Sequence, residues 1–384
     1  MLRTIVKRGA LLLCALLLLT GIGAAVSAEE GAVNTVEVST VDEFLAAIAP
    51  NTQIVLAAGE YDLTRAANYP WTGGDYYHWE GNYDGHELVI TDVENLTIKG
   101  EDGAEVTICT VPRYSDVLRF DNVSGLTLSN LVVGHTIEQG TCTGGVLWLE
   151  DCRDVEIQNT RLYGCGTIGI TLVGCRNVHV DHSEIYECTY GCIDVSSCEN
   201  VLFENSKFHD CEIVMEGFAI RSSQDVAIIN SEIYNNRGEM YSYLFSADSP
   251  GVYLGGLDVH SNEIAAMFAP NGVPVTVESC RFNSGSAWAE GDIPAVSPAG
   301  ERLSAVDLQS MKMRVVTWEP KGGAVLPTVE AGEDGKIHVS TVDEFLAAIG
   351  SEATICLEPG EYDLSQAETY AGVGSDFFRW EKVY

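Results

Sequence analysis

The stretch CRDVEIQNTRLYGC at residues 152–165 recurs as CRNVHVDHSEIYEC at 175–188 and as CENVLFENSKFHDC at 198–211, so that successive copies begin 23 residues apart. A looser copy, SQDVAIINSEIYNN, occupies residues 223–236. In every copy apolar residues alternate with polar ones, and a period of two indicates a β-strand with one buried face. A fixed period of this length predicts a solenoid in which each repeat stacks on its neighbours.

Each repeat contains three short apolar segments, and none of them has the 3.6-residue period of a helix. The second segment is centred on Leu162 in one repeat and on Ile185 in the next, and the third covers residues 169–173 and then 193–195. Short strands repeated in register predict an all-β fold. We predict a right-handed parallel β-helix, a single-chain solenoid with coils of about 23 residues.

Asparagine recurs after the first strand of most repeats, where a turn with left-handed backbone favours this residue. The column consists of Asn130, Asn159, His182, Asn205 and Asn230. It resembles the asparagine ladder of pectate-lyase-like β-helices, and the span from about residue 95 to residue 282 looks like the repeat that those enzymes share with surface β-helix proteins. The resemblance implies the fold of this protein.

In pectate lyases the resemblance would also imply calcium-dependent β-elimination on polygalacturonate, with an arginine base in an R-x-P-x-x-R context. Arg221 lies in FAIRSSQ and Arg237 lies in NNRGEM, so neither arginine has that context. The signatures of polygalacturonases and mannuronan epimerases are absent as well. The resemblance therefore supports the fold and carries no specific chemistry with it.

Residues 1–28 carry Arg3, Lys7 and Arg8 ahead of an apolar run and end in Val-Ser-Ala, the pattern of a cleaved signal peptide. We therefore expect a protein that is secreted or held at the cell surface, with a retained membrane anchor as the alternative. The remaining chain has 18 basic and 56 acidic residues, a net charge of −38. This charge argues against a nucleic-acid partner and is compatible with divalent cations and neutral glycans. No later segment is long and apolar enough to span a bilayer.

The segment VSTVDEFLAAIA at residues 38–49 contains a capping box and a short amphipathic helix, which predicts an N-terminal cap for the β-helix. It recurs as VSTVDEFLAAIG at 339–350. We expect the cap and β-helix over 38–283, terminal strands and a linker over 284–337, and a second, incomplete copy over 338–384. Because the second copy stops where its β-helix would begin, the sequence is expected to be truncated.

Eleven cysteines follow the signal peptide, and an odd number leaves at least one thiol outside any intramolecular disulfide. Six of them form two columns at equivalent positions of three repeats. Side chains of adjacent in-register strands point in parallel directions, which is poor geometry for a disulfide. We therefore expect buried free thiols, with disulfides and metal ligation as alternatives. The columns are Cys152, Cys175 and Cys198, and Cys165, Cys188 and Cys211.

An exposed column of aromatic residues lies on the second strand of four successive repeats, namely Tyr163, Tyr186, His209 and Tyr234. Aromatic rings with polar neighbours suit the mixed apolar and polar faces of a pyranose. The column is therefore the predicted binding site for an extracellular polysaccharide. The alternative is a ladder of rings that stiffens the sheet and binds nothing.

The first strand carries outward-facing acidic residues on neighbouring repeats. Asp181 and Glu204 occupy equivalent positions, and His179 lies two residues before Asp181. Two carboxylates stacked at the strand spacing raise one another's pKa or share a calcium ion. These three residues are the candidate catalytic residues, and the two acids are the candidate calcium ligands. A solvated acidic face is the alternative.

Three functions fit these features. The first is a secreted or surface module that recognises extracellular polysaccharide through the aromatic column. The second is a polysaccharide lyase, hydrolase or epimerase, and the third is a structural stalk or adhesin repeat. The insertion at residues 134–149 departs from the repeat, and such loops often carry function, but its His135 and Cys142 have no visible orienting acid.

Overall fold

The computed structural model describes most of the chain from Val33 onward. The described residues are 33–136, 143–164, 167–270, 272–288, 292–320, 327, 329–332, 334–350 and 353–367. The predicted signal peptide, Cys142 and Cys165 lie outside these ranges. Among the described helices, none has the length and the apolar character needed to cross a membrane.

Three sheets run along the molecule, and successive coils add one strand to each of them. Of the described residues, eleven strands form sheet A: Asn34–Val38, Thr52–Leu56, Glu94–Gly100, Ser124–Ser129, Arg153–Gln158, Arg176–Asp181, Glu199–Glu204, Gln224–Ile229, Val252–Gly255, Val275–Glu278 and Ala295–Val296. Nine described strands form sheet B: Gly59–Asp62, Val106–Thr110, Val132–His135, Arg161–Tyr163, Glu184–Tyr186, Lys207–His209, Glu232–Tyr234, Asp258–His260 and Arg281–Asn283. Nine described strands form sheet C: Tyr77–Gly81, His86–Thr91, Leu118–Asp121, Leu147–Glu150, Ile168–Val173, Gly191–Ser196, Glu216–Arg221, Tyr243–Ala247 and Ala266–Phe268.

Strand pairing within these sheets is parallel, except that Tyr77–Gly81 runs antiparallel to His86–Thr91. This arrangement confirms the predicted parallel β-helix. Two small sheets pair Glu212–Ile213 with Arg237–Gly238, and Ile337–Val339 with Ile355–Leu357. The described helices are α1 (Val41–Ala46), α2 (Ala305–Ser310) and α3 (Val342–Ala348), with 3₁₀ turns at Leu63–Arg65 and Leu364–Gln366.

The strand register explains why the repeat has a fixed length. Val155 pairs with Val178, and Val178 pairs with Val201, so that inward side chains of successive coils stack in the core. Leu162 and Ile185 do the same in sheet B. All five side chains are buried. Because burial of a large apolar side chain stabilises the fold by about 1.5–3 kcal/mol, these inward columns provide the main stabilisation.

In most coils, a residue with left-handed backbone separates the strand of sheet A from the next strand of sheet B. Asn159 and Asn205 have φ values of 46° and 50°, and Nδ2 of Asn159 donates a 2.8 Å hydrogen bond to Oδ1 of Asn130. His182 occupies the same column with a φ of 46°, and its Nδ1 lies 2.7 Å from Oδ2 of Asp181. His182 therefore fills an asparagine position in the turn stack.

The amphipathic helix α1 covers the N-terminal end of the core. Its capping box is present, because the backbone nitrogen of Glu43 donates to Oγ1 of Thr40 at 3.2 Å and Oε2 of Glu43 accepts from the backbone nitrogen of Thr40 at 3.1 Å. Phe44 is buried beneath the helix. The helix α3 begins with the same capping box, so the duplicated sequence adopts the same local structure twice.

The described members of the cysteine columns are free thiols. All nine cysteines among the described residues are free, and eight of them are buried. Burial raises the pKa of Cys109 and of Cys280 to about 12, so these thiols stay neutral. The prediction of buried free thiols is confirmed for the described members of both columns, which fill core volume as small apolar side chains.

Candidate functional site

The predicted acidic cluster lies on the outer face of sheet A, and the structure brings its members together. Nδ1 of His179 lies 2.9 Å from Oε1 of Glu156, and Nε2 of His179 lies 2.9 Å from Oε1 of Glu204. Carboxylate oxygens only accept hydrogen bonds, so the charged form of the ring donates to both neighbours. The three residues therefore link three successive coils.

Asp181 faces the same side of sheet A but has other partners. Nδ2 of Asn205 donates to Oδ1 of Asp181 at 2.8 Å, and Nδ1 of His182 lies 2.7 Å from its Oδ2. Although burial opposes the effect, these two contacts lower the pKa of the Asp181 carboxyl. The prediction that Asp181 and Glu204 raise each other's pKa is therefore wrong for Asp181, because the hydrogen-bond donors outweigh the effect of burial.

The same cluster offers ligands for a cation. One atom from each of His179, Asp181 and Glu204 lies within 4.8 Å of the other two. Two carboxylates suit calcium, which prefers oxygen ligands, whereas an imidazole nitrogen suits a transition ion such as zinc. Both carboxylates already accept hydrogen bonds, from Asn205 and from His179, and each keeps further lone pairs for an ion. The donor set fits calcium only in part.

The predicted aromatic column lies on the outer face of sheet B as a continuous stack of rings. The ring of Tyr186 lies 5.7 Å from Tyr163 and 5.4 Å from His209, and Tyr234 lies 4.7 Å from His209, with interplanar angles of 22°, 5° and 11°. His260 adds a fifth ring, whose centroid lies 5.3 Å from that of Tyr234. The four predicted side chains are half-buried, and not exposed as expected, because each ring covers the face of its neighbour. The faces that a pyranose would need are used within this ring stack.

The two predicted clusters lie on different sheets and do not form one site. The outer face of sheet C carries a groove that sequence reasoning missed, with a volume of about 260 Å³. We call it the sheet C groove. Its lining residues include Asp116, Trp148, Thr171, Asp194 and Arg221.

Arg119 lies beside Trp148 and is surrounded by acids. Its guanidinium nitrogens lie 3.1–3.3 Å from three carboxylates, those of Glu80, Glu87 and Glu150. Its Cζ lies 5.6 Å from the ring centroid of Trp148, within the range of a cation–π interaction. Although burial opposes the charge, the three carboxylates raise the pKa of Arg119. The arginine therefore stays charged and holds the acids in fixed positions beside the groove.

Asp116 is a buried acid at the edge of the sheet C groove. Its Oδ1 accepts a 2.5 Å hydrogen bond from the backbone nitrogen of Gly145, and its own backbone nitrogen donates to Oε2 of Glu87 at 3.0 Å. Burial, and after it the charge of Glu87, raises the pKa of the Asp116 carboxyl to about 7. A carboxyl that changes protonation near neutral pH beside a groove is a candidate acid or base.

An ion pair lies further along the same groove. Asp194 is in register with Thr171, which is in register with Trp148, so Asp194 lies two strands beyond the indole. Nη1 of Arg221 lies 2.7 Å from Oδ1 of Asp194, and Arg221 also contacts Glu216. Burial raises the pKa of the Asp194 carboxyl. The groove therefore combines an aromatic side chain with fixed acids and bases.

A sequence signal for the sheet C groove exists. The segments SDVLRFD at residues 115–121 and GGVLWLE at 144–150 align without gaps and place Arg119 and Trp148 in one outward column, as the strand register shows. The insertion between them lengthens this repeat to 29 residues, against 23 in the copies that reveal the fold. The column is therefore lost when the 23-residue period is extended across the insertion.

A comparison of the sequence with known protein families supports the β-helix fold. Residues 95–291, about half of the chain, match the family described as the right handed beta helix region. The chain belongs to the right-handed β-helix family. The match begins within the sheet A strand Glu94–Gly100 and includes Trp148 and Asp194 of the sheet C groove. No curated protein sequence matches this β-helix protein.

Two solved structures are similar to this β-helix protein. An alginate lyase from Paenibacillus sp. str. FPU-7 is 12% identical with a TM-score of 0.40, over 70% of this chain and 97% of that chain. Pectate lyase II from Xanthomonas campestris pv. campestris str. ATCC 33913 is 13% identical with a TM-score of 0.36, over 73% and 89%. These similarities are too distant to transfer an activity to this chain.

Proposed function

We propose that this β-helix protein binds an extracellular polysaccharide in the sheet C groove. The observation that carries the proposal is Trp148, which lines the groove beside Arg119 and its carboxylates. An indole offers an apolar face to the C–H groups of a pyranose, and the neighbouring charged groups bind its hydroxyls. Nε1 of Trp148 adds a buried donor that has no acceptor among the described residues.

The charge of the protein restricts the class of glycan. The chain carries 56 acidic and 21 basic residues, a net charge of −35. A polyanionic glycan is repelled by such a surface unless a cation bridges the two, whereas a neutral glycan is not. We therefore favour a neutral polysaccharide, and the predicted signal peptide at residues 1–28 supports an extracellular encounter.

Replacement of Trp148 with alanine is expected to reduce retention on a neutral polysaccharide by about tenfold or more, because the apolar platform is lost. The measurement is affinity electrophoresis in gels that contain xylan, mannan or β-glucan. Tyr186→Ala is the matched control, because it removes an aromatic ring from the stack on sheet B and leaves the groove intact. Tyr186→Ala should migrate like the wild-type protein.

The opposite pattern would place the binding site elsewhere. Loss of retention in Tyr186→Ala with normal retention in Trp148→Ala would favour the aromatic column of sheet B. If the wild-type protein were not retained by any of these polymers, the proposal would fail and a structural stalk or adhesin repeat would be favoured.

A polysaccharide lyase, hydrolase or epimerase is the second candidate, and Asp116 favours it. Its pKa of about 7 allows this carboxyl to accept and to donate a proton near neutral pH. The same polymers are incubated with the protein and assayed for new reducing ends and for unsaturated products. Product release that is lost in Asp116→Asn would identify an enzyme, and retention without release would identify a binding module.

We also propose that Asp181 and Glu204 bind a calcium ion. A bound ion should raise the melting temperature of the wild-type protein relative to EDTA, and Asp181→Asn should abolish the increase because it removes one anionic ligand. The measurement is thermal unfolding in EDTA, in calcium and in zinc. A shift with zinc alone would contradict calcium and would point to the imidazole of His179 as a ligand.

A further inference from the structure

The chain returns along the outside of the β-helix after α2. Residues 311–320, which we call the strap, are fixed at three points, the first of which is a 3.3 Å hydrogen bond from the backbone nitrogen of Cys280 to Sδ of Met311. The backbone nitrogen of Arg314 donates to the carbonyl of Ser279 at 3.0 Å, and Val316 exchanges two 2.9 Å hydrogen bonds with the side chain of Asn230. Beyond these points the strap reaches coils that lie earlier in the sequence.

Trp318 and Pro320 of the strap form one wall of an open groove on sheet A. The volume of this sheet A groove is about 470 Å³. Its other lining residues include Glu156, His179 and Leu202. The groove is therefore composite, because sheet A provides the floor and a segment more than a hundred residues later provides the aromatic wall.

The polar groups of the sheet A groove suit hydroxyls better than a cation. Nδ2 of Asn200 donates to Oδ1 of Asn177 at 2.9 Å, and Nδ2 of Asn177 donates to Oδ1 of Asp154 at 2.8 Å. An amide has two donor hydrogens and an oxygen with two lone pairs, so each asparagine keeps further bonding capacity. Sugar hydroxyls both donate and accept, and so match these amides, whereas an ammonium group only donates.

The carboxylates at the sheet A groove also favour a hydroxyl-bearing ligand over a cation. Glu156 is already held by Nδ1 of His179 at 2.9 Å, and Glu204 is held by Nε2 of the same ring. Both carboxylates therefore already have a polar partner inside the protein. The half-buried indole of Trp318 provides the apolar surface that the C–H face of a pyranose needs.

We propose that the sheet A groove is a second glycan-binding site, in which a neutral pyranose stacks on Trp318 and hydrogen-bonds to Glu156 and to the amides of Asn177 and Asn200. The inference rests on the proposed function for the class of ligand, and it adds a site on a different sheet. Two sites on one β-helix bind one polymer at two points, and such linkage raises retention above the affinity of either site.

The experiment uses soluble xylo-, manno- and β-gluco-oligosaccharides and the same three polymer gels. Five variants are compared with the wild type: Trp318→Ala, Trp318→Phe, Trp148→Ala, the double variant Trp148→Ala/Trp318→Ala, and Trp71→Ala. Trp71 is the matched control, because its side chain is 87% exposed and lines neither groove. Isothermal titration gives the number of sites, and affinity electrophoresis gives the retention.

We expect two oligosaccharides per wild-type protein, one for each single groove variant and none for the double variant. Retention on the polymer should fall about tenfold in Trp318→Ala and stay unchanged in Trp71→Ala. Trp318→Phe keeps an aromatic face and should keep most of the retention. If Trp318→Phe lost as much retention as Trp318→Ala, the stacking role of this side chain would be refuted.

Failure of this inference and failure of the proposed function give different results. One site in the wild-type protein that is lost only in Trp148→Ala overturns the sheet A site and leaves the sheet C groove. One site that is lost only in Trp318→Ala supports the sheet A site and contradicts the sheet C groove. Binding of polylysine that Trp318→Ala abolishes, without any sugar binding, overturns the sugar assignment in favour of a cationic ligand.

Discussion

Replacement of Phe218 with alanine is expected to lower the free energy of unfolding by about 3–5 kcal/mol. Phe218 is fully buried inside the β-helix. Its ring centroid lies 4.9 Å from that of Phe208 and 5.2 Å from that of Phe245, and Phe268 continues the contact series at 5.5 Å from Phe245. Truncation leaves a cavity that stacked coils cannot close, because each coil is fixed by backbone hydrogen bonds to both neighbours.

Urea unfolding, followed both by circular dichroism and by tryptophan fluorescence, measures this loss. A free energy of unfolding can be derived only if the two transitions coincide, because the coils of a solenoid can unfold separately. Phe218→Leu is the matched control and should lose clearly less, since most of the apolar volume remains. A loss below about 1 kcal/mol in Phe218→Ala would contradict the packing described for these coils.

Replacement of Asp116 with asparagine is expected to raise the free energy of unfolding by about 2–4 kcal/mol at pH 8 and to change it little at pH 4. The carboxyl titrates near 3.8 when it is free and at about 7 in the folded protein, where burial and then Glu87 disfavour its charge. The folded state holds the proton more tightly, so this group lowers stability as the pH rises between these values. Asparagine carries no charge and keeps an oxygen that accepts from Gly145.

The measurement is urea unfolding of both proteins at pH 4, 6 and 8. Asp75→Asn is the control, because it removes the same charge from an exposed position. Its effect should not grow with pH in the way that the effect of Asp116→Asn does. Equal stability of the wild-type protein and Asp116→Asn at pH 8 would show that the carboxyl is ionised there without penalty, and its role as an acid near neutral pH would be withdrawn.

Much of the architecture was predictable from local pattern. Inward residues such as Val155 and Val178 alternate with polar ones, and the 23-residue period brings them into register. The equivalent positions of Asp181 and Glu204 on neighbouring strands were predictable for the same reason, because the copies that contain them align without gaps. The free thiols followed from the parallel direction of side chains on adjacent strands.

Other features depended on contacts that no local pattern records. Tyr186 lies in the predicted outward column. Its ring stacks parallel to the ring of His209, and this stacking covers the ring faces. The pKa of Asp116 follows from burial and from Glu87, which lies 29 residues away. The hydrogen bonds between Val316 and Asn230 span 86 residues, and with them the strap places Trp318 on sheet A.

The sequence by itself determined the β-helix, its cap, its buried thiol columns and the acidic face of sheet A. These features follow from the period of the sequence, because equivalent residues of successive repeats have equivalent neighbours and are equally buried. Only the tertiary structure decided where the grooves lie. Thr143 and Gly145, which precede the strand of Trp148, help to line the sheet C groove, and the sheet A groove forms where the strap crosses the coils. Both depend on non-repeating segments, whose positions are set by long-range packing and not by period.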